Sequence, residues 1–151
     1  MGTMERNTPK AKNSLLEIKL LEACKFGNDK RVRLLLETGV SANTRDDTYG
    51  YTALVVACIA NTGAAKNDRQ HMTVNVLLSN NADVNATHEG GKNVLHFCAM
   101  LSPKADLVSK ICESRPDEKL VLVNAQDCDG NTPLSLLCSS HVSPPRDTVN
   151  Y

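Results

Sequence analysis

The chain has 151 residues, and its 17 Lys+Arg balance its 17 Asp+Glu, so the formal net charge is zero. That length suits one compact domain or a short repeat array, and the balance argues against a general nucleic-acid or anionic-membrane binder, which needs a basic surplus or stripe. Hydrophobic residues make up 41%, with two Phe, three Tyr and no Trp, so the predicted core is aliphatic and rich in small residues.

Met1 to Ser14 is polar, carries Glu5, Arg6, Lys10 and Lys12, and has no apolar core, so it is expected to be a tail and not a secretory leader. Ser14-Leu15-Leu16-Glu17 has the S-x-x-E form of a capping box and predicts a helix from Leu15. Its apolar centre is Leu20-Leu21-Glu22-Ala23-Cys24. A second apolar stretch follows, Val32 with Leu34-Leu35-Leu36, and Gly39 stands where a left-handed helix end is wanted. The same order then recurs. Leu54-Val55-Val56-Ala57-Cys58, Leu95-His96-Phe97-Cys98-Ala99 and Leu134-Ser135-Leu136-Leu137-Cys138 repeat the first motif. Val74 with Val76-Leu77-Leu78, then Leu107-Val108 with Ile111, repeat the second. Ala42-Asn43, Val84-Asn85 and Val123-Asn124 close the units, and Tyr49-Gly50-Tyr51-Thr52, Gly90-Gly91-Lys92-Asn93 and Asp129-Gly130-Asn131-Thr132-Pro133 open the next ones. The longest apolar run, Leu54 to Ala60, is about a third of a membrane span.

This pattern resembles the ankyrin repeat, a unit of about 33 residues with a T-P-L-H-x-A core. Gly130-x-Thr132-Pro133-Leu134 and Leu77-Leu78-x-x-Asn81-Ala82-Asp83-Val84-Asn85-Ala86 carry the resemblance most directly. It implies an all-α solenoid of stacked antiparallel helix pairs with short protruding turns. The expected repeats are 15–45, 46–86, 87–127 and 128–142, with tails at 1–14 and 143–151. Asn43 to Asn85 spans 42 positions, about nine above the usual period, with the excess in the Asn61 to Gln70 insert. Asn85 to Asn124 spans 39, about six above it, with the excess around Glu113 to Leu122. Pro103 and Pro116 are expected at helix ends. The fourth unit stops after its first helix, and Ser143-Pro144-Pro145 breaks the pattern. The interrupted second repeat is similar to the brain-type ankyrin repeat domain 34 group. The four-repeat cyclin-dependent-kinase inhibitors match in length, and the inserts separate them.

The six cysteines contain no C-x-x-C pair, which with the polar start predicts free thiols in a reducing compartment, cytoplasm or nucleus. Cys24, Cys58 and Cys138 share one repeat position, with Cys98 one residue out of phase, and all are expected in the core as small hydrophobes. Cys112 lies on an apolar stripe, and Cys128 alone is expected to be exposed. His71, His88, His96 and His141 never pair with cysteine at zinc-ligand spacing, so no metal is expected. His96 fills the histidine place of the T-P-L-H core, where it is expected to bond turn backbone. Asp46, Asp47, Asp127 and Asp129 are expected to satisfy turn donors. Gly90-Gly91 lacks the setting of a phosphate loop. Acidic residues (Glu17, Glu22, Asp29, Glu37) dilute the basic ones around Lys25, Lys30, Arg31 and Arg33. No catalytic residues, no cofactor, no nucleic acid and no membrane are therefore expected.

The resemblance implies recognition of a protein partner on a concave face made by turn tips and the outer positions of first helices. Carried onto this sequence, those places are Lys25, Phe26, Thr48, Tyr49, Tyr51, Ile59, Ala60, Glu89, Lys92, Met100, Leu101, Cys128, Asn131, Ser139 and Ser140. Tyr brings much contact area at low entropic cost, and Met100 with Leu101 would add an adaptable apolar patch. Against this stands the reading that Phe26 and one tyrosine only cover the array's edge. Leu77-x5-Asp83-Val84-Asn85 resembles substrates of the cytosolic asparaginyl hydroxylase, which makes Asn85 a candidate modification site beside its plainer role in the turn. The predicted function is a monomeric, non-catalytic protein-binding module. A regulatory or inhibitory segment of a larger protein is the alternative, and an enzyme using Cys128 or the acidic turns a remote one.

Overall fold

The computed structural model describes residues 14–59, 67–101 and 105–141. Eight α-helices lie among them: α1 (Leu15–Lys25), α2 (Asp29–Glu37), α3 (Ala53–Ile59), α4 (Asn67–Ser79), α5 (Val94–Leu101), α6 (Ala105–Ser114), α7 (Lys119–Asn124) and α8 (Pro133–His141). Short 3-10 turns stand at Glu89–Gly91 and Pro116–Glu118. Among the described residues Arg45 and Thr52 form an isolated antiparallel bridge.

Local chemistry sets the helix ends. The predicted capping box is present: Glu17 N–H donates to Ser14 Oγ at 3.3 Å, and Ser14 N–H donates to Glu17 Oε2 at 2.7 Å. Asn28 caps α2 by accepting from Arg31 N–H at 3.1 Å. At the other end Gly39 takes φ +100°. Val40 N–H then reaches Leu35 O and Gly39 N–H reaches Leu36 O, the paired bonds of a Schellman stop. α4 ends the same way on Asn81, at φ 64°, with Ala82 N–H on Leu77 O and Asn81 N–H on Leu78 O.

The helices pack as two linked rows. α1, α3, α5 and α8 touch in succession, and beside them run α2, α4, α6 and α7. α1 rests on α2 and α3 on α4, while α7 meets α8 at the far end. Three residues join α1 to α2, so these packed helices must run antiparallel. The core follows the periodicity seen in the sequence. Leu20, Val32, Leu54, Val74, Leu77 and Ile111 are all 1% exposed or less. Ala23, Ala57 and Cys98 occupy equivalent places in successive first helices and are buried, so small side chains stand where those helices pack.

Four thiols are buried as expected, at Cys24, Cys58, Cys98 and Cys112, and Cys128 is exposed. Burial pushes the Cys24 thiol up to about 12, a poor nucleophile. Cys98 moves the other way because Cys58 hydrogen-bonds it. Cys138 departs from the expectation: it is exposed. It shares a register with buried Cys58, yet among the described residues α8 packs chiefly on α5 and α7, while α3 packs on α1, α4 and α5.

The excess residues are partly helical. Asn67 to Gln70, the end of the second-repeat insert, form the first turn of α4; positions 60–66 and Pro103 lie outside the described residues. The later excess folds as the Pro116–Glu118 turn and α7, whose Leu122 is 1% exposed.

Candidate interaction surface

Three turns between units are built on one plan. The N–H of Asp46, His88 and Asp127 each donates at 2.9 Å to a carbonyl across the turn, that of Tyr51, Lys92 and Asn131 respectively. Asp127 does what a turn aspartate is expected to do: its Oδ1 accepts from Asp129 N–H at 3.0 Å and Asn131 N–H at 2.8 Å. Its Oδ2 lies 3.3 Å from Lys92 Nζ. The turn N–H groups and Lys92 hold the Asp127 carboxyl below the usual carboxylate range. Asp46 likewise accepts from Tyr49 and Tyr51 N–H, at 3.2 and 2.7 Å. Its turn is longer, spanning five positions to Tyr51 where the other two span four.

Two imidazoles tie neighbouring turns. His96, fully buried, binds the Asn131 carbonyl through Nε2 at 2.8 Å. That oxygen can only accept, so Nε2 carries the proton and Nδ1 accepts Asn93 N–H at 3.1 Å. Unit two has Val55 at the matching place. There His88 supplies the tie from the following turn. Its Nε2 accepts Thr52 N–H at 3.2 Å, which leaves the proton on Nδ1 to donate to Lys92 O at 3.0 Å. Burial holds the His88 imidazole below its ordinary range; Arg45 adds to this, while the Lys92 carbonyl and Asp46 oppose it.

Other bonds reinforce the row. Asn43 Oδ1 accepts Asp83 N–H at 2.7 Å, and the Asn85 amide donates to Glu118 Oε2. Arg45 Nη1 reaches Gly50 O and Thr87 O, both at 3.0 Å. Cys128 N–H donates to Gly90 O at 2.8 Å. The backbones approach so closely there that a Cβ on Gly91, at φ +71°, would lie 3.2 Å from Cys128 N.

On this frame stands an aromatic stack. Tyr49, 65% exposed at the tip of the Asp46–Tyr51 turn, lies on Tyr51 with ring centres 5.4 Å apart and planes at 21°. Tyr51 is half-buried and meets Phe97 and His88 edge-on, at 5.1 and 5.5 Å. The two tyrosines are thus unlike: Tyr51 is a platform, and Tyr49 is what solvent or a partner meets.

The other expected contact residues are spread along the surface. Lys25, Thr48 and Ser139 are exposed, Met100 is 45% exposed, Ile59 is half-buried, and the Lys92 side chain is 21% exposed. Asn131 is half-buried, with its carbonyl held by His96. Phe26, 63% exposed, stands apart from the tyrosines and lines a groove of about 450 Å³ with Lys30 and Arg69. Ala60 and the side chains of Glu89, Leu101 and Ser140 lie outside the described residues. The cross-turn bonds of His88, Arg45 and Asn43 were not foreseen from the sequence, although His88 in the aspartate place of its turn was a visible departure. No cluster of three or more His, Cys, Asp or Glu that could hold a metal occurs among the described residues. No described helix is long and apolar enough to cross a membrane.

No family model matches the chain. It is 32% identical over 120 residues to a fowlpox virus (strain NVSL) protein that is named for ankyrin repeats. The match covers 80% of this chain and 33% of that protein, so the chain spans about a third of its relative. With the helical rows and the turn plan already described, this homology supports the ankyrin repeat family for the chain.

Proposed function

We propose that residues 15–142 are an ankyrin solenoid whose function is to bind a protein partner through the turn tips and first helices, without catalysis of its own. The observation that carries this is Tyr49: a large aromatic held in the open by a packed aromatic platform and a cross-bonded row of turns. A preordered aromatic of this kind gives contact area with little entropy left to lose. Lys25, Phe26, Thr48, Ile59, Lys92, Met100 and Asn131 extend the surface, with Tyr51 as its support, and Glu89 and Leu101 are added from the sequence pattern alone. The four buried thiols fit a reducing compartment, cytoplasm or nucleus. The interrupted second repeat favours kinship with the ankyrin repeat domain 34 group.

The test is affinity capture with Tyr49→Ala beside a Met72→Ala control, since Met72 is 50% exposed on α4, in the other row. Partners lost with Tyr49→Ala and kept by the control support the reading. Partners indifferent to Tyr49 overturn it. A second reading, a regulatory or inhibitory segment of a longer protein, is favoured by the relative being about three times the matched length; it predicts that the partner of these turns lies in the same polypeptide. Asn85 is also proposed as a hydroxylation site, to be checked by a gain of one oxygen on its peptide.

A further inference from the structure

The row of turns sorts charge as well as presenting an aromatic. Segments 43–52, 85–93 and 124–132 hold two cations, Arg45 and Lys92, against five carboxylates, Asp46, Asp47, Glu89, Asp127 and Asp129. The turns thus carry a net −3 in a chain whose formal charge is zero, and the rest of the chain carries +3. Both cations of the row are engaged from within. Arg45 Nη1 donates to the Gly50 and Thr87 carbonyls, and Lys92 Nζ lies 3.3 Å from Asp127 Oδ2. Asp47 and Asp129 are exposed. Beside Asp47 stands Tyr49, with one ring face stacked on Tyr51 and 65% of its surface in solvent. Lys25, the exposed cation elsewhere on the proposed surface, closes α1, whereas the turns precede α3, α5 and α8.

We propose that this row takes a basic segment of a protein partner, with an arginine stacked on the open face of Tyr49 and further Arg or Lys side chains opposite Asp47 and Asp129. This rests on the reading of Tyr49 as a contact residue and adds the chemistry of what it contacts. The face of an aromatic ring is negative and attracts a cation. A guanidinium suits it best, being planar and weakly hydrated, while an ammonium holds its water more firmly. The surrounding carboxylates favour the same sign and repel an acidic segment, so the ring and the charge select together. An apolar side chain would use the ring and gain nothing from the charge. One extended segment can meet several tips because neighbouring turns are bonded to each other, Thr52 N–H to His88 Nε2 and Cys128 N–H to Gly90 O.

The test is titration of the nitrogen-15-labelled chain with the peptides (Ala-Arg)4, (Ala-Lys)4 and (Ala-Glu)4, followed by NMR up to about 2 mM peptide, where a millimolar Kd is visible. The arginine peptide should shift the amides around Tyr49 and Asp129, the lysine peptide should bind more weakly, and the glutamate peptide should leave them in place. Tyr49→Ala should weaken arginine-peptide binding about threefold to tenfold. Asp47→Lys/Asp129→Lys should abolish it, while Glu22→Lys/Glu37→Lys, the same charge change at exposed positions on α1 and α2, should keep it. Asp47→Asn/Asp129→Asn, closer in size, should weaken binding in the same sense and serves if the reversal impairs the helical signal. Binding that ignores the changes at Asp47 and Asp129, that survives Tyr49→Ala intact, or that is as tight for the glutamate peptide overturns the proposal. A captured protein partner that depends on Tyr49, beside an arginine peptide that does not bind, keeps Tyr49 as the contact and overturns the basic character of the partner.

Discussion

Gln70 provides a severe test of how the second-repeat insert is anchored. It lies in the first turn of α4 and is 1% exposed. Its Nε2 donates to the carbonyls of Ala57 and Cys58, at 3.1 and 2.5 Å. Those carbonyls belong to the last turn of α3, where a helix has no partners of its own for them. Gln70→Met keeps the length of the side chain and removes both donors. A buried polar group left without its partner costs about 1–3 kcal/mol. Two carbonyls served by one amide, with some relaxation, put the loss at about 2–4 kcal/mol. For a chain of this length each kcal/mol moves Tm by about 2–4 °C, so a drop of roughly 5–15 °C follows. Thermal and urea unfolding followed by far-UV circular dichroism would measure it. A Gln70→Met protein within about 0.5 kcal/mol of wild type, the range of an ordinary surface change, would refute the reasoning and leave the end of α3 held by something other than Gln70.

Three further predictions follow from the turns. Tyr49→Ala should leave stability within about 0.5 kcal/mol because its ring is exposed; Tyr51→Ala, which removes a half-buried ring from the Phe97 and His88 contacts, should cost about 2 kcal/mol, and urea titration of both separates binding surface from platform. His88 is held neutral in the folded chain, so the unfolded chain takes up the proton first: stability is full above the ordinary imidazole range near about pH 6.5 and falls as pH drops below it. His88→Gln should flatten that acid slope in urea midpoints compared between about pH 8 and about pH 5. Gly91→Ala, forcing a side chain into a left-handed conformation and against Cys128 N, should cost about 1–3 kcal/mol, measured in the same way.

Much of this architecture could be read from residue spacing because the repeat imposes it. The capping box at Ser14 and Glu17, the stop at Gly39, the turn role of Asp127 and the backbone bond of His96 are local matters, fixed by a few neighbouring residues. What escaped depends on which element lies alongside. Cys138 repeats the register of Cys58, but burial belongs to the neighbour and not to the residue, and among the described residues α8 packs on α5 and α7 while α3 packs on α1, α4 and α5. Gln70 looked like the end of a polar insert, since its partners come from another helix. His88 replaces an aspartate in its turn and compensates for Val55 in the preceding unit by accepting from Thr52 N–H, a bond that spans 36 positions. Of the candidate surface, the identity of the tip residues was legible, while the division of labour between Tyr49 and Tyr51 was not, because both flank the same glycine and the packing of Phe97 and His88 distinguishes them.

The one extra position in the Asp46–Tyr51 turn has a consequence for evolution. A lengthened hairpin is the cheapest change a repeat can make to its outline, since the hydrogen bonds at its base are kept and no core residue moves. It lets a single unit jut beyond its siblings like one long tooth on a comb. Any binding specificity resting on Tyr49 could therefore be acquired, or retracted, by inserting or deleting one codon between Asp46 and Gly50, with the stack beneath unaware of the change.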